Sequence, residues 1–279
     1  MNPSIRQLIR GACSRRALSK QKKRHANFYE VFPRHEGLQG RSAESLVGFA
    51  LVERETQSGH PRTSSGVRTA RNFSAWAASS LLRSLCDQTL ESLTARFGAS
   101  NIEDEASFAI DSHATLDGWA YASTLPHLNP ASILVACFGD PGLIALQENC
   151  PVQVTGLAEA AFFAAAKYGS YAVVTGGERW QPMLQRLAAS LNQQDHLAGI
   201  HTVVPTGGEL AVDPERATAL LLQAFKDAQA KYKADAVILG GAGLAGFAAK
   251  IQPPLSAPII DSVQAGIAVS PELMDTFKA

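Results

Sequence analysis

A single thiol, Cys137, stands in the run Ala136-Cys137-Phe138-Gly139-Asp140-Pro141-Gly142-Leu143. The apolar stretch before it reads as a strand, and Asp140 and Pro141 read as the N-cap and first residue of a helix. A thiol at such a junction feels the positive end of a helix dipole, which favours thiolate. A thiolate at a strand end can take a proton from carbon. The competing reading is an inert core cysteine, the usual state of a free Cys. A second candidate is Gly240-Gly241-Ala242-Gly243-Leu244-Ala245-Gly246, which holds G-x-G-x-x-G after an apolar run, with Asp261 twenty residues beyond Gly241. Three readings fit it: a dinucleotide fingerprint, a tight turn that needs small residues, or a nest of backbone N–H groups for a carboxylate. The chain has only 18 residues after Asp261, too few to finish a dinucleotide-binding half, so the nest is favoured. Thr175-Gly176-Gly177, after another apolar run, offers a hydroxyl and amides. Glu159, His113 and Trp180 read as helix or core residues, and His196 and His201 fit no metal spacing. The four cysteines form no CxxC pair, which argues against a disulfide scaffold or a structural zinc site.

These residues need a frame, and apolar periodicity supplies one. Strands are expected at Leu90–Phe97, Ser132–Cys137, Val152–Thr155, Tyr171–Thr175, Gly199–Val204, Asp235–Leu239 and Ala257–Asp261. Helices are expected at Phe73–Leu85, Asp104–Ser123, Leu157–Tyr168, Pro182–Leu191, Pro214–Lys233 and Leu244–Lys250. In Asp104–Ser123 the apolar positions are read as Ala106, Ile110, Ala114, Trp119 and Ala122. Alternating strands and helices predict βαβ units and parallel sheets. Ligands of such sheets bind beyond the carboxyl ends of the strands, where Cys137, Thr175, Pro205–Gly208 and Gly240–Gly243 fall.

Before residue 72 the texture differs. Of the chain's 25 Lys+Arg and 25 Asp+Glu, residues 1–41 hold ten and two, so the remainder holds 15 and 23, a formal net charge of −8. An acidic body argues against nucleic-acid binding. Residues 1–71 read as a poorly ordered basic extension, dispensable for folding, with Leu46–Val52 its one strand-like run. The first thirty residues resemble a transit peptide, against the plainer reading of a flexible tail. The composition, 46% hydrophobic and 18% charged, suits a soluble globular protein, and no apolar run is long enough for a membrane span.

Four segments in order resemble the aspartate/glutamate/hydantoin racemase superfamily, hydantoin and allantoin branch. Cys137-Phe138-Gly139-Asp140-Pro141-Gly142 resembles the first-cysteine motif, Pro151–Ala160 the next strand–helix step, Ala236–Leu244 the second-cysteine motif, and Ala257–Val263 the closing strand. The resemblance spans about residues 91–268. It implies an α/β fold of two pseudo-symmetric flavodoxin-like lobes with parallel sheets around a central cleft: residues 72–147 plus 257–279 in the first lobe and 148–256 in the second. It implies acid–base chemistry by cysteine at an α-carbon with no metal or organic cofactor. The site would comprise Cys137 as the catalytic thiol, with Phe138, Thr175, Gly176, Gly241, Ala242 and Gly243 binding the substrate. In this sequence the family's second cysteine falls at Gly241, and its opening Asn-Pro-Asn-type turn has no match. The expected function is a racemase or epimerase-like enzyme acting on an amino acid or hydantoin-type cyclic amide. The alternatives are a single-cysteine decarboxylase or an impaired carboxylate- or ureide-binding protein. A small-molecule substrate, a homo-oligomer, a cytoplasmic location, and no nucleic-acid or membrane partner complete the expectation.

Overall fold

Near-continuous apolar runs become strands covered by helices, because such runs bury both faces of a sheet. The computed structural model describes residues 48–53 and 90–269, apart from positions 96, 100, 103, 127, 206 and 253–255. The described strands form two sheets. The first contains β1 (Gly48–Glu53), β2 (Leu90–Thr94), β3 (Pro130–Val135) and β4 (Gln153–Gly156), in the order β2-β1-β3-β4. The second contains β5 (Tyr171–Gly176), β6 (Leu197–Val203), β7 (Ala236–Gly240) and β8 (Ile259–Asp261), in the order β6-β5-β7-β8. Counted within each sheet, both orders are 2-1-3-4, the start of the flavodoxin-like winding. Two pseudo-symmetric α/β lobes result. In such an order the switch point lies between the first and third strands, so Cys137, just past β3, and Gly241, just past β7, stand at matching positions.

The helices follow from local signals. Helix α1 (Glu105–Ala122) starts at a capping box in which Asp104 and Ser107 serve each other's amides. Helices α2 (Leu143–Asn149) and α3 (Leu157–Ala166) follow β3 and β4. Helix α4 (Trp180–Ser190) follows β5. Helices α5 (Gly207–Val212) and α6 (Pro214–Tyr232) precede β7, and α6 starts on the Asp213 side chain and Pro214. After β7 a 3₁₀ turn (Ala242–Leu244) leads to α7 (Phe247–Ile251), and α8 (Ser262–Ala268) follows β8.

One buried cluster joins the lobes. Leu134, Phe138, Leu157 and Phe162 pack with Tyr171, Val173, Ile238 and Val263. Helix α8 lies against α3, and a Cβ at Gly266 would come within 2.8 Å of Leu157 and 3.1 Å of Leu134. At the surface, Arg186 of α4 grips Glu105 of α1 through two bonds, of 2.6 and 2.9 Å.

Three expectations change. Residues 48–53, assigned to a dispensable tail, form β1, which pairs with β2 on one side and β3 on the other. The rest of residues 1–71 and the helix expected at Phe73–Leu85 lie outside the described residues. Secondly, the first sheet is mixed: β1 runs antiparallel to both neighbours, whereas β3–β4 and the whole second sheet are parallel. A symmetric apolar run has no readable direction, so its sequence could not reveal this. Thirdly, β4 belongs to the first sheet and β8 to the second, so the division at residues 147/148 and the return after 257 both fall one strand early. Sequential parallel strands tend to be neighbours, and β3–β4 and β7–β8 obey that rule.

Candidate active site

Beyond β3 the chain turns sharply. Cys137 is partly exposed, and its Sγ lies 3.8 Å from the Phe138 carbonyl oxygen. Asp140 sits in the left-handed region at φ +55°, with its N–H donating to the Cys137 carbonyl at 3.1 Å. The expectation that Asp140 caps the following helix and Pro141 opens it is corrected. Helix α2 starts after Gly142, at φ +79°, with no side-chain cap. The Asp140 carboxylate reaches another helix instead and accepts the N–H groups of Ala158 at 2.9 Å and Glu159 at 2.7 Å, in the first turn of α3. The N-cap of α3 is Gly156, which has no side chain to satisfy those amides.

This arrangement sets the electrostatics. Burial pushes the Cys137 thiol well above its ordinary range, and the negative charges of Asp111 and Asp140 push it further. These surroundings favour the neutral thiol over the dipole-stabilised thiolate expected from sequence. Burial lifts the Asp140 carboxyl to about 8, against the pull of the two α3 amides, and the charge of Glu159 adds to the rise. Asp111, on α1, is fully buried. Its Oδ1 accepts the Ala99 N–H at 2.7 Å, and its Oδ2 has no partner among the described residues.

Asp111 gives a stability prediction. Burial raises its carboxyl from 3.8 to about 6. Between those values the folded chain holds a proton that the unfolded chain has released, so stability falls as pH rises through the window. The full loss above pH 6 is roughly 3 kcal/mol. Asp111→Asn is expected to flatten this part of the profile, measured as melting temperature from pH 4 to 7. Parallel wild-type and variant profiles would contradict the assignment.

The second lobe brings two strand ends to the same place. Thr175 is buried, and its hydroxyl donates to the Gly240 carbonyl at 2.9 Å. The Phe138 ring lies on Gly240, where a Cβ would overlap it. Trp180 packs over Gly139 and Gly177. The ends of β3, β5 and β7 therefore meet. Gly241, at φ +141°, turns the chain, and its N–H points to Ser262 Oγ at 3.4 Å. Ala242 and Gly243 open the 3₁₀ turn, where the first N–H groups have no acceptor within the helix.

Of the seven residues named from sequence, Cys137, Gly241, Ala242 and Gly243 are partly exposed, whereas Phe138, Thr175 and Gly176 are buried. The Phe138 ring is packed on Gly240 and the Thr175 hydroxyl is bonded to the Gly240 carbonyl. The dinucleotide alternative fails on geometry. Asp261, its ribose partner, accepts N–H groups from Val263 and Gln264 to start α8 and from Gly246 at 2.9 Å. Trp180 is a core residue, Glu159 is held by Thr155 and Gln147, and the His113 ring packs edge-on to Phe97. Among the described residues no group of His, Cys, Asp and Glu could hold a metal ion, and no helix is long and apolar enough to cross a membrane.

Asp111 was missed. The buried stripe of α1 is Asp111, Ala114, Thr115, Gly118, Trp119 and Ala122, while Ala106 and Ile110 are exposed. Of the apolar positions expected in this helix, Ala114, Trp119 and Ala122 lie on the stripe, and Asp111 takes the place expected of Ile110. The signal was an aspartate in helical register with Thr115, Gly118 and Ala122.

Comparison with known proteins agrees with this architecture. The Asp/Glu/Hydantoin racemase family model matches residues 62–269. A hydantoin racemase of Pseudomonas sp. (strain NS671) is 34% identical over 148 residues, covering 53% of this chain and 59% of that protein. A hydantoin racemase of Paenarthrobacter aurescens is 35% identical over 151 residues, covering 52% and 62%. The matched region thus spans about three fifths of each relative's length. The crystal structure of allantoin racemase from Pseudomonas fluorescens superposes with a TM-score of 0.66 at 24% identity, covering 74% of this chain and 88% of that one. At that identity the likeness is one of fold.

Proposed function

The chain belongs to the Asp/Glu/hydantoin racemase family, and from that premise we propose a cofactor-independent racemase of hydantoin-type cyclic amides, with Cys137 as its acid–base thiol. The observation that carries this reading is the seating of the Phe138 ring on Gly240. It holds the Cys137 loop beside the Gly241–Gly243 turn, so a thiol and a set of amides can address one small molecule.

Charge narrows the substrate. The buried charged residues among those described are Asp111, Asp140, Glu159 and Asp261, all acids. Of these, Asp111 and Asp140 act on the Cys137 thiol, and when ionised they would repel a substrate's free carboxylate but not a neutral ring. The sequence-based expectation of a carboxylate nest thereby narrows to an imide oxygen. The relatives named hydantoin racemase support the same class.

In the proposed reaction the Cys137 thiolate takes the C5 proton of the ring and becomes a thiol. The C–H electron pair moves to the adjacent carbonyl oxygen, and the Ala242 and Gly243 N–H groups stabilise the enolate. A proton delivered to the other face inverts the centre. Gly241, the position expected from sequence to match the family's second cysteine, has no proton to give, so water or another residue would serve that face. This favours a second reading, a one-sided reaction such as decarboxylation, for which the assay is carbon dioxide release from an arylmalonate.

The test is solvent exchange in deuterium oxide. A 5-substituted hydantoin should gain deuterium at C5, and the matching N-carbamoyl amino acid, which bears a free carboxylate, should not. Exchange of the open-chain acid alone would overturn the proposal. Gly241→Cys should raise the ratio of inversion to exchange. A Cβ there meets only the Leu244 side chain, at 3.4 Å, although φ +141° opposes any side chain. An unchanged ratio in a folded variant would place the opposite-face donor elsewhere.

A further inference from the structure

The Cys137 loop is tied to a helix it does not precede. Asp140 lies three residues after Cys137 and two before Gly142, the N-cap of α2. Its N–H is bonded to the Cys137 carbonyl and its carbonyl to the Leu143 N–H, both at 3.1 Å. Its backbone holds φ +55°, the left-handed region that aspartate enters more readily than most side chains. Its side chain is held by the pair of bonds from the Ala158 and Glu159 amides. Gly156 admits that contact, because a Cβ there would overlap the Asp140 carboxyl group. A left-handed turn, a cap supplied from outside the helix, and a glycine with no room for a side chain converge on one residue.

We propose that Asp140 is a positioning residue for Cys137: by capping α3 from the neighbouring loop, its carboxylate fixes the loop that aims the thiol. The inference rests on the reading of Cys137 as the working thiol, and it predicts a role for Gly156, which does not touch Cys137 in sequence or by hydrogen bond. Freeing the loop should expose the thiol and misplace it. A misplacement of about 1 Å can cost on the order of 10²-fold in rate.

The experiment measures alkylation of Cys137 by iodoacetamide in the full chain from pH 6 to 10, quantified on the Cys137 peptide. It is paired with kcat and KM for exchange of a 5-substituted hydantoin. Asp140→Ala and Gly156→Ala should each raise alkylation about tenfold or more. Each should lower kcat by about 10²-fold and leave KM within about threefold. The double variant should be no worse than either single, because both break the same contact. Asp140→Asn keeps the shape and one acceptor, so it remains readable if the alanine variants fail to fold. It should steepen the rise of alkylation between pH 7 and 9, where the wild-type Asp140 carboxyl ionises and opposes the thiolate. Gly156→Ala retains that charge and should not steepen the rise, which separates anchoring from electrostatics. Alkylation of Gly156→Ala indistinguishable from wild type would overturn the proposal, as would additive effects in the double variant. Full activity of Cys137→Ser would instead sink the functional reading, and the alkylation result would still judge the anchor.

Discussion

Cys137→Ser is expected to lose at least about 10²-fold in exchange rate, the usual scale for removing an essential acid–base group. A serine hydroxyl deprotonates far less readily than a thiol, so geometry is kept while the base is lost. The fold should survive, because serine is close to cysteine in size and the Sγ contact, at 3.8 Å, is weak. Wild-type exchange should rise about tenfold per pH unit through neutral and alkaline pH, because only the thiolate fraction reacts and the resting thiol is held neutral. The described groups acting on that thiol are Asp111 from α1 and Asp140 from its own loop, both negative when ionised. Asp111→Asn should therefore shift the rising limb to lower pH. A serine variant with full activity would mark the thiol as a packing residue.

Gly240→Ala is expected to destabilise the protein by about 3 kcal/mol, the upper end of ordinary overpacking. The added methyl would overlap the Phe138 ring. That ring is 3% exposed and stands edge-on to Phe162 at 6.5 Å, so it has little room to retreat. For a domain of this size the melting temperature should fall by roughly 6–12 °C. Activity should fall with it, since Phe138 adjoins Cys137. Phe138→Leu on the Gly240→Ala background should recover part of the loss by opening space. An unchanged melting temperature in Gly240→Ala would mean that the ring lies elsewhere.

The sequence made some of this legible and concealed the rest for identifiable reasons. Tyr171–Gly176 and Ala236–Gly240 were recognisable because strands covered on both faces read as uninterrupted apolar runs. Asp213-Pro214 marked the start of α6 because its cap is local. Asp140-Pro141 has the same signature and misled, because its capping partner lies 18 residues away in another element. Residues 48–53 read as a strand but not as a paired one, since pairing depends on partners that periodicity does not name. Phe138 and Thr175 stand at strand ends, as expected, and their side chains are buried. Whether such a side chain faces a ligand or a glycine on the next strand is decided by packing between lobes. Asp111 was hidden because a polar residue on a buried helical stripe looks like an interruption of the stripe.

The path of α8 has a thermodynamic meaning. Strand β8 completes the second sheet, and the next seven residues cross back to lie on α3, with Gly266 against Leu134 of the first sheet. The bonds between Arg186 and Glu105 also span the lobes, but both side chains are 56% exposed, and solvent screening leaves such pairs weak. The shared apolar cluster under α3 and α8 is the stronger coupling, since each fully buried large side chain in it contributes about 1.5–3 kcal/mol. Neither lobe owns the residues it would need to stay folded while the other opened. Heat should therefore melt both in a single cooperative transition, and a break in the chain near residue 257 should weaken the half of the molecule that precedes residue 150 as well as the half that contains the break.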